Sequence, residues 1–95
     1  MVTALVFIKT DVDRVHEAAE EIAALDGVSE VYSITGGYDL VAMVRVRRHD
    51  DLNAVIPGRL NKVPGVRDTE THIAFRTYSQ HDLEVAFSLG LPDAD

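Results

Sequence analysis

Two groups of residues in this chain have the types and spacing to do chemistry. The first is Thr35-Gly36-Gly37-Tyr38-Asp39, which sets a phenol and a carboxylate directly after two glycines. Glycine reaches positive φ without a Cβ penalty, so the pair suits a hairpin and leaves backbone N–H groups uncovered. Asp39 could pair with an ammonium group, and the N–H groups of Gly36 and Gly37 could hold a carboxylate. The hydroxyls of Thr69 and Thr71, further along the chain, could orient either one. Together these functions match the needs of a zwitterionic amino acid. The same residues also make a plain hairpin, with Asp39 satisfying turn N–H groups and the threonines serving as good strand residues. The second group is Glu70 and His72, two positions apart on one strand face. They could act as an acid–base pair or bind a metal; the alternative is an ion pair or an interface contact. A metal site would lack a third ligand at fixed spacing.

No further constellation accompanies these two. The chain has no cysteine, hence no thiol nucleophile, disulfide framework or thiolate metal site. There is no Gly-x-Ser-x-Gly elbow, phosphate loop or His-Glu-x-x-His, and His16, His49, His72 and His81 are scattered. The reading is of a protein that is not an enzyme and needs no cofactor. With a net charge of −7 the chain is a poor nucleic-acid binder by itself, because such binding draws on Lys and Arg against phosphates. Its one basic cluster, Arg45, Arg47 and Arg48 beside His49, reads as a strand end meeting solvent. The apolar start, Met1 to Lys9, lacks a basic n-region and is too short to span a membrane. A cytoplasmic protein with no membrane partner is expected.

The elements that must position these residues follow from periodicity. Thr3 to Lys9 reads as a strand apolar on both faces, Val2, Ala4, Val6 and Ile8 against Leu5 and Phe7. Asp11 or Asp13 is expected to cap a helix whose stripe is Val15, Ala18, Ala19, Ile22 and Leu25. Gly27 is its expected stop. Val28 to Ile34 and Leu40 to Val46 are strands either side of the Gly-Gly turn. Asp50 and Asp51 are candidate caps of a second helix that points Leu52, Val55, Ile56, Leu60 and Val63 inward. Pro57-Gly58 should kink it or split it, since an internal proline costs about 3 kcal/mol. Val66 to Tyr78 is predicted as one long strand. Ser79 to Asp82 resembles a capping box, followed by a short helix through Ser88 and a loose tail.

An internal repeat organises these pieces. Leu25-Asp26-Gly27-Val28 matches Val63-Pro64-Gly65-Val66 at a shift of 38 residues, and the same shift aligns Val6 with Val44, Ile8 with Val46 and Ile22 with Leu60 without a gap. Strand–helix–strand therefore occurs twice, joined by the Gly-Gly hairpin. The predicted fold is α+β: a ferredoxin-like βαββαβ plait, a four-stranded antiparallel sheet with two helices on one face, plus the short C-terminal helix. Two helices cover only one face of such a sheet. Yet the first strand (Val2, Ala4, Val6, Ile8 against Leu5, Phe7) and the third (Leu40, Ala42, Val44, Val46 against Val41, Met43) are apolar on both faces, so the sheet face left open marks a partner surface. The simplest partner is a second copy about a two-fold axis, in an obligate homodimer with sheets packed face to face or edge to edge into a barrel.

At this point the chain resembles the ligand-sensing domain of the Lrp/AsnC family, also called the RAM domain (regulation of amino acid metabolism). The likeness is carried by Leu25-Asp-Gly-Val28, by Val31-Tyr-Ser-Ile-Thr-Gly-Gly-Tyr-Asp-Leu-Val41, and by Val63-Pro-Gly-Val66 with Thr69-Glu-Thr71, and it covers about residues 2 to 78. The resemblance implies a non-enzymatic, amino-acid-binding regulatory module over residues 1–79, with 80–95 as an extension to which nothing transfers. It implies dimers with facing sheets that assemble into a larger closed ring. The effector would bind between dimers at Gly36, Gly37, Tyr38 and Asp39, with Thr69 and Thr71 as further contributors. The family usually carries an N-terminal DNA-binding helix-turn-helix. This chain begins at the first sensing-domain strand and so looks like a stand-alone sensing domain, acting alone or in mixed rings with full-length Lrp/AsnC regulators. Two alternatives stay open: a small dimeric ferredoxin-like barrel enzyme of the cofactor-free oxygenase type, and an assembly protein without a small ligand.

Overall fold

In the computed structural model of the protein the described residues are 1–78 and 80. The elements run β1 (Val2–Thr10), α1 (Val15–Ala23), β2 (Val28–Ser33), β3 (Leu40–Val46), α2 (Asp51–Val55), a 3₁₀ turn (Leu60–Lys62) and β4 (Val66–Ala74). The sheet is antiparallel throughout, in the order β2-β3-β1-β4. This is the expected ferredoxin-like plait. The helix expected through Ser88 lies outside the described residues.

Strand alternation explains where the core sits. Successive side chains point to opposite faces of a sheet. On β1 and β3 the residues Ala4, Val6, Ile8, Leu40, Ala42 and Val44 are fully buried, while Leu5, Phe7, Val41 and Met43 between them are half-buried. Against the buried face pack Ala18 and Ile22 of α1, Leu52 and Val55 of α2, and Leu60 and Val63 beyond it. The second helical segment splits as anticipated. α2 stops at Val55, Pro57-Gly58 falls in the gap, and Leu60 resumes in a 3₁₀ turn. Both inward runs stay buried across that break because the gap preserves their facing.

Three local expectations are corrected. α1 begins at Val15, and neither Asp11 nor Asp13 caps it, for Arg14 holds the cap position without a side-chain bond. Asp11 instead accepts Arg14 N at 3.0 Å through its own carbonyl, forming a turn that precedes the helix. At α2, Asp50 makes no capping bond, whereas the Asp51 carboxylate accepts Arg48 N at 3.2 Å. β4 ends at Ala74 rather than Tyr78. Its neighbour β1 has by then run out: Ala74 already faces Thr3, and an edge strand continues only where a partner accepts its bonds.

The repeat is visible in the pairing. Leu5 and Met43 are repeat mates at the 38-residue shift, and they face each other directly across β1 and β3. A local two-fold axis therefore passes between them. The outer strands do not obey it. Val31 of β2 faces Ala42, but its mate Thr69 of β4 faces Ile8, four residues along from Ala4, the mate of Ala42. The hairpin holds β2 in register with β3, whereas β4 arrives through a crossover with no such tether.

Candidate functional site

The β2–β3 connection closes with Ile34 N donating to Asp39 O at 3.0 Å, and Asp39 N donates to Ile8 O at 2.9 Å. The loop residues Thr35 to Tyr38 thus stand off the end of the sheet. Only one of the two glycines uses its freedom: Gly36 has φ 108°, while Gly37 is not in the positive-φ region. A Cβ built on either would meet nothing within 4 Å, so the loop backbone is open on both sides.

Asp39 is half-buried, and its carboxylate turns back onto the strand end. Oδ2 accepts Thr10 N at 2.9 Å and lies 3.5 Å from Thr10 Oγ1. Thr10 is only 6% exposed, so this acceptor satisfies a buried donor at the point where the β1–β4 register shifts. The carboxylate therefore serves the end of β1, not the N–H groups of its own turn as the plain-hairpin alternative had it.

Tyr38 turns the other way. Its hydroxyl donates to Glu70 Oε1 at 3.0 Å, and the second oxygen of Glu70 accepts from His72 Nε2 at 2.6 Å. Both aromatic rings pack on Phe7. Tyr38 is tilted with centroids 5.7 Å apart, and His72 is edge-on at 5.6 Å. The pairings Phe7↔Glu70 and Leu5↔His72 explain why β1 and β4 bring these groups to one face, the face away from the helices. Hydrogen bonds from His72 and then Tyr38 hold the Glu70 carboxyl below its ordinary range, and the same bond to Glu70 raises the Tyr38 phenol.

The sequence-derived site is therefore divided. Gly36, Gly37, Tyr38 and Asp39 stay together at the loop. Thr69 and Thr71 face Ile8 and Val6 on the helix side of β4, opposite the Tyr38 cluster. Thr69 bonds through Oγ1 to Asn61 Oδ1 at 3.1 Å. Sequence reasoning missed Phe7 as the floor beneath Tyr38 and His72. Alternation along β1 carried half that signal, and the strand register supplied the other half. Among the described residues no group of three or more His, Asp or Glu could hold a metal ion. No helix among them is long and apolar enough to cross a membrane.

Comparison with known proteins decides the family. A family model described as the Lrp/AsnC ligand binding domain matches residues 3–83. The chain belongs to the Lrp/AsnC family. It is 30% identical over 77 residues to the HTH-type transcriptional regulator FL11 of Pyrococcus abyssi, covering 81% of this chain and 50% of the relative. The chain thus spans about half the length of the curated relatives it matches. Among solved structures, TTHA0845 from Thermus thermophilus is 45% identical with a TM-score of 0.79, matched over 84% of this chain and 100% of its own. The transcriptional regulator NMB0573 of Neisseria meningitidis, solved as an L-Met complex, shares the fold alone at 14% identity and a TM-score of 0.74, over 83% of this chain and 53% of its own. The part of the family that this chain matches is its ligand binding domain.

Proposed function

We propose that the protein is a non-enzymatic sensor that binds an amino acid at the Gly36-Gly37-Tyr38-Asp39 loop. The observation that carries this reading is the match of residues 3–83 to a ligand-binding domain. The open loop backbone at Gly36 and Gly37 supports it. The L-Met complex of the distant Neisseria protein supports the amino-acid class. In this reading two copies pack through the face of Leu5, Phe7, Val41 and Met43, the dimers close into a ring, and the effector sits between dimers. The ring acts alone or mixes with full-length Lrp/AsnC regulators.

Calorimetric and thermal-shift screening of the common amino acids tests it. The expected result is a selective rise in Tm with at least one amino acid, weakened when Gly36 or Tyr38 is replaced. An intact oligomer that responds to none of them would overturn the sensor reading.

A further inference from the structure

The Tyr38–Glu70–His72 cluster has a form that an open surface does not require. Glu70 is exposed, with 53% of its side chain accessible, and water alone would satisfy it. Yet both of its oxygens are already bonded by protein, one from the hairpin and one from β4. Bonds of this kind matter once solvent is removed, because a carboxylate buried without partners is costly. The cluster borders an apolar centre made by Leu5, Phe7, Val41 and Met43, and two of its three members rest on Phe7.

The occupant that fits this face is a second copy of the chain. The local two-fold axis between Leu5 and Met43 already makes the centre of the face alike on either side, which suits a self-complementary contact. Four strands about 4.8 Å apart and about seven residues long present roughly 450 Å² of flat area before side-chain relief. That is of the order of the ~800 Å² per partner in a standard interface.

We propose that association of two copies through this face is proton-dependent, with His72 required in its protonated form once the face is covered. The proposal rests on the reading, given above, that the outer face is the dimer contact. The sign follows from charge. Protonated His72 and ionised Glu70 form a neutral pair as solvent leaves. Neutral His72 leaves one net negative charge per protomer in the contact, two per dimer. Association is therefore tightest at low pH and weakens as pH rises through neutrality. The other charged or titratable groups on this face are Lys9 of β1, Arg45 of β3 with Glu30 and Tyr32 of β2, Asp68 of β4 and Tyr38. Of these, Arg45 is paired to Glu30 at 3.8 Å. Among the described residues, the carboxylate, lysine, arginine and tyrosine side chains of this face belong to classes that ordinarily titrate outside about pH 6 to 9, and the His72→Gln variant separates the imidazole from the amino terminus ahead of β1. His16 lies on α1 and His49 precedes α2, both off this face.

The test is sedimentation velocity on the full chain over a concentration series between about pH 6 and 8.5 at constant ionic strength, with far-UV circular dichroism to confirm folding. The dimer dissociation constant should rise by about tenfold or more per pH unit above neutrality, toward the two-proton limit of about a hundredfold. His72→Gln should flatten that slope. Glu70→Gln should flatten or reverse it, because a protonated histidine is then the unpaired charge. Leu5→Lys should give monomers at every pH. A dimer whose dissociation constant does not change with pH would overturn the proton linkage alone. A slope retained in His72→Gln would overturn the assignment to His72. A monomer at all pH values, or a Leu5→Lys variant that still dimerises, would overturn the underlying reading of the face.

Discussion

Replacing Asp39 by alanine removes a carboxylate on which the end of β1 depends. The acceptor serves Thr10 N at 2.9 Å, with Thr10 only 6% exposed. Leaving such a donor unpaired costs about 1–3 kcal/mol, and the loss of a charged acceptor belongs in the upper half of that range. We expect Asp39→Ala to destabilise the fold by about 2 kcal/mol. For a domain of this size that lowers Tm by about 8–16 °C. Urea unfolding at fixed protein concentration should show the midpoint falling with the slope unchanged. Asp39→Asn keeps an oxygen at the same place and should recover more than half of the loss. A change below about 0.5 kcal/mol in Asp39→Ala would refute this role of the carboxylate, since it would mean that water serves Thr10 equally well. The comparison also bears on the sensor reading. Loss of ligand response in Asp39→Ala is ambiguous between a lost contact and a displaced loop, so Asp39→Asn is the cleaner probe.

Four further outcomes are expected. Gly27 has φ 93° and an added Cβ would lie 2.7 Å from Val55 Cγ2. Gly27→Ala should therefore cost about 2–5 kcal/mol of unfolding free energy from backbone strain and overpacking together. Gly37→Ala, in open space without positive φ, should be neutral or stabilising by up to about 1 kcal/mol. Because bonds from His72 and Tyr38 depress the Glu70 carboxyl below its ordinary 4.5, the stability it contributes is present above that value and is lost as pH falls through the depressed one. Thermal melts of Glu70→Gln between about pH 6 and 3 should show a shallower decline than the parent. Ile22→Ala, at a fully buried position between α1 and the sheet, should cost about 2–5 kcal/mol in urea unfolding.

The plait is legible in the sequence because two signals agree. The Leu25-Asp-Gly-Val28 and Val63-Pro-Gly-Val66 match gives the repeat, and the apolar residues on both faces of β1 and β3 say that both faces are covered, though not which one the helices take. Pro57-Gly58 marks the break in the second helix for a plain steric reason. What is not legible depends on distance rather than type. Nothing in the chain says that β4 slides four residues along β1, and that slide is what sets Glu70 opposite Phe7 and beneath Tyr38. Thr69 and Thr71 have the right hydroxyls for a ligand, but the same register puts them on the helix side. Aspartates ahead of a helix suggest caps at Asp11 and Asp13. The turn from Asp11 to Arg14 uses the main chain instead, and propensity gives no sign of that.

The sliding of β4 has a consequence for how such a sheet can join others. Had both outer strands kept to the local two-fold, its two rims would be interchangeable, and neighbours could add equally well to left or right. Instead one rim is a nine-residue strand and the other a six-residue strand closed by the hairpin. The duplicated chain has thereby acquired a direction. Any larger assembly inherits that polarity, and a subunit cannot be inserted back to front without a mismatch in length at both rims.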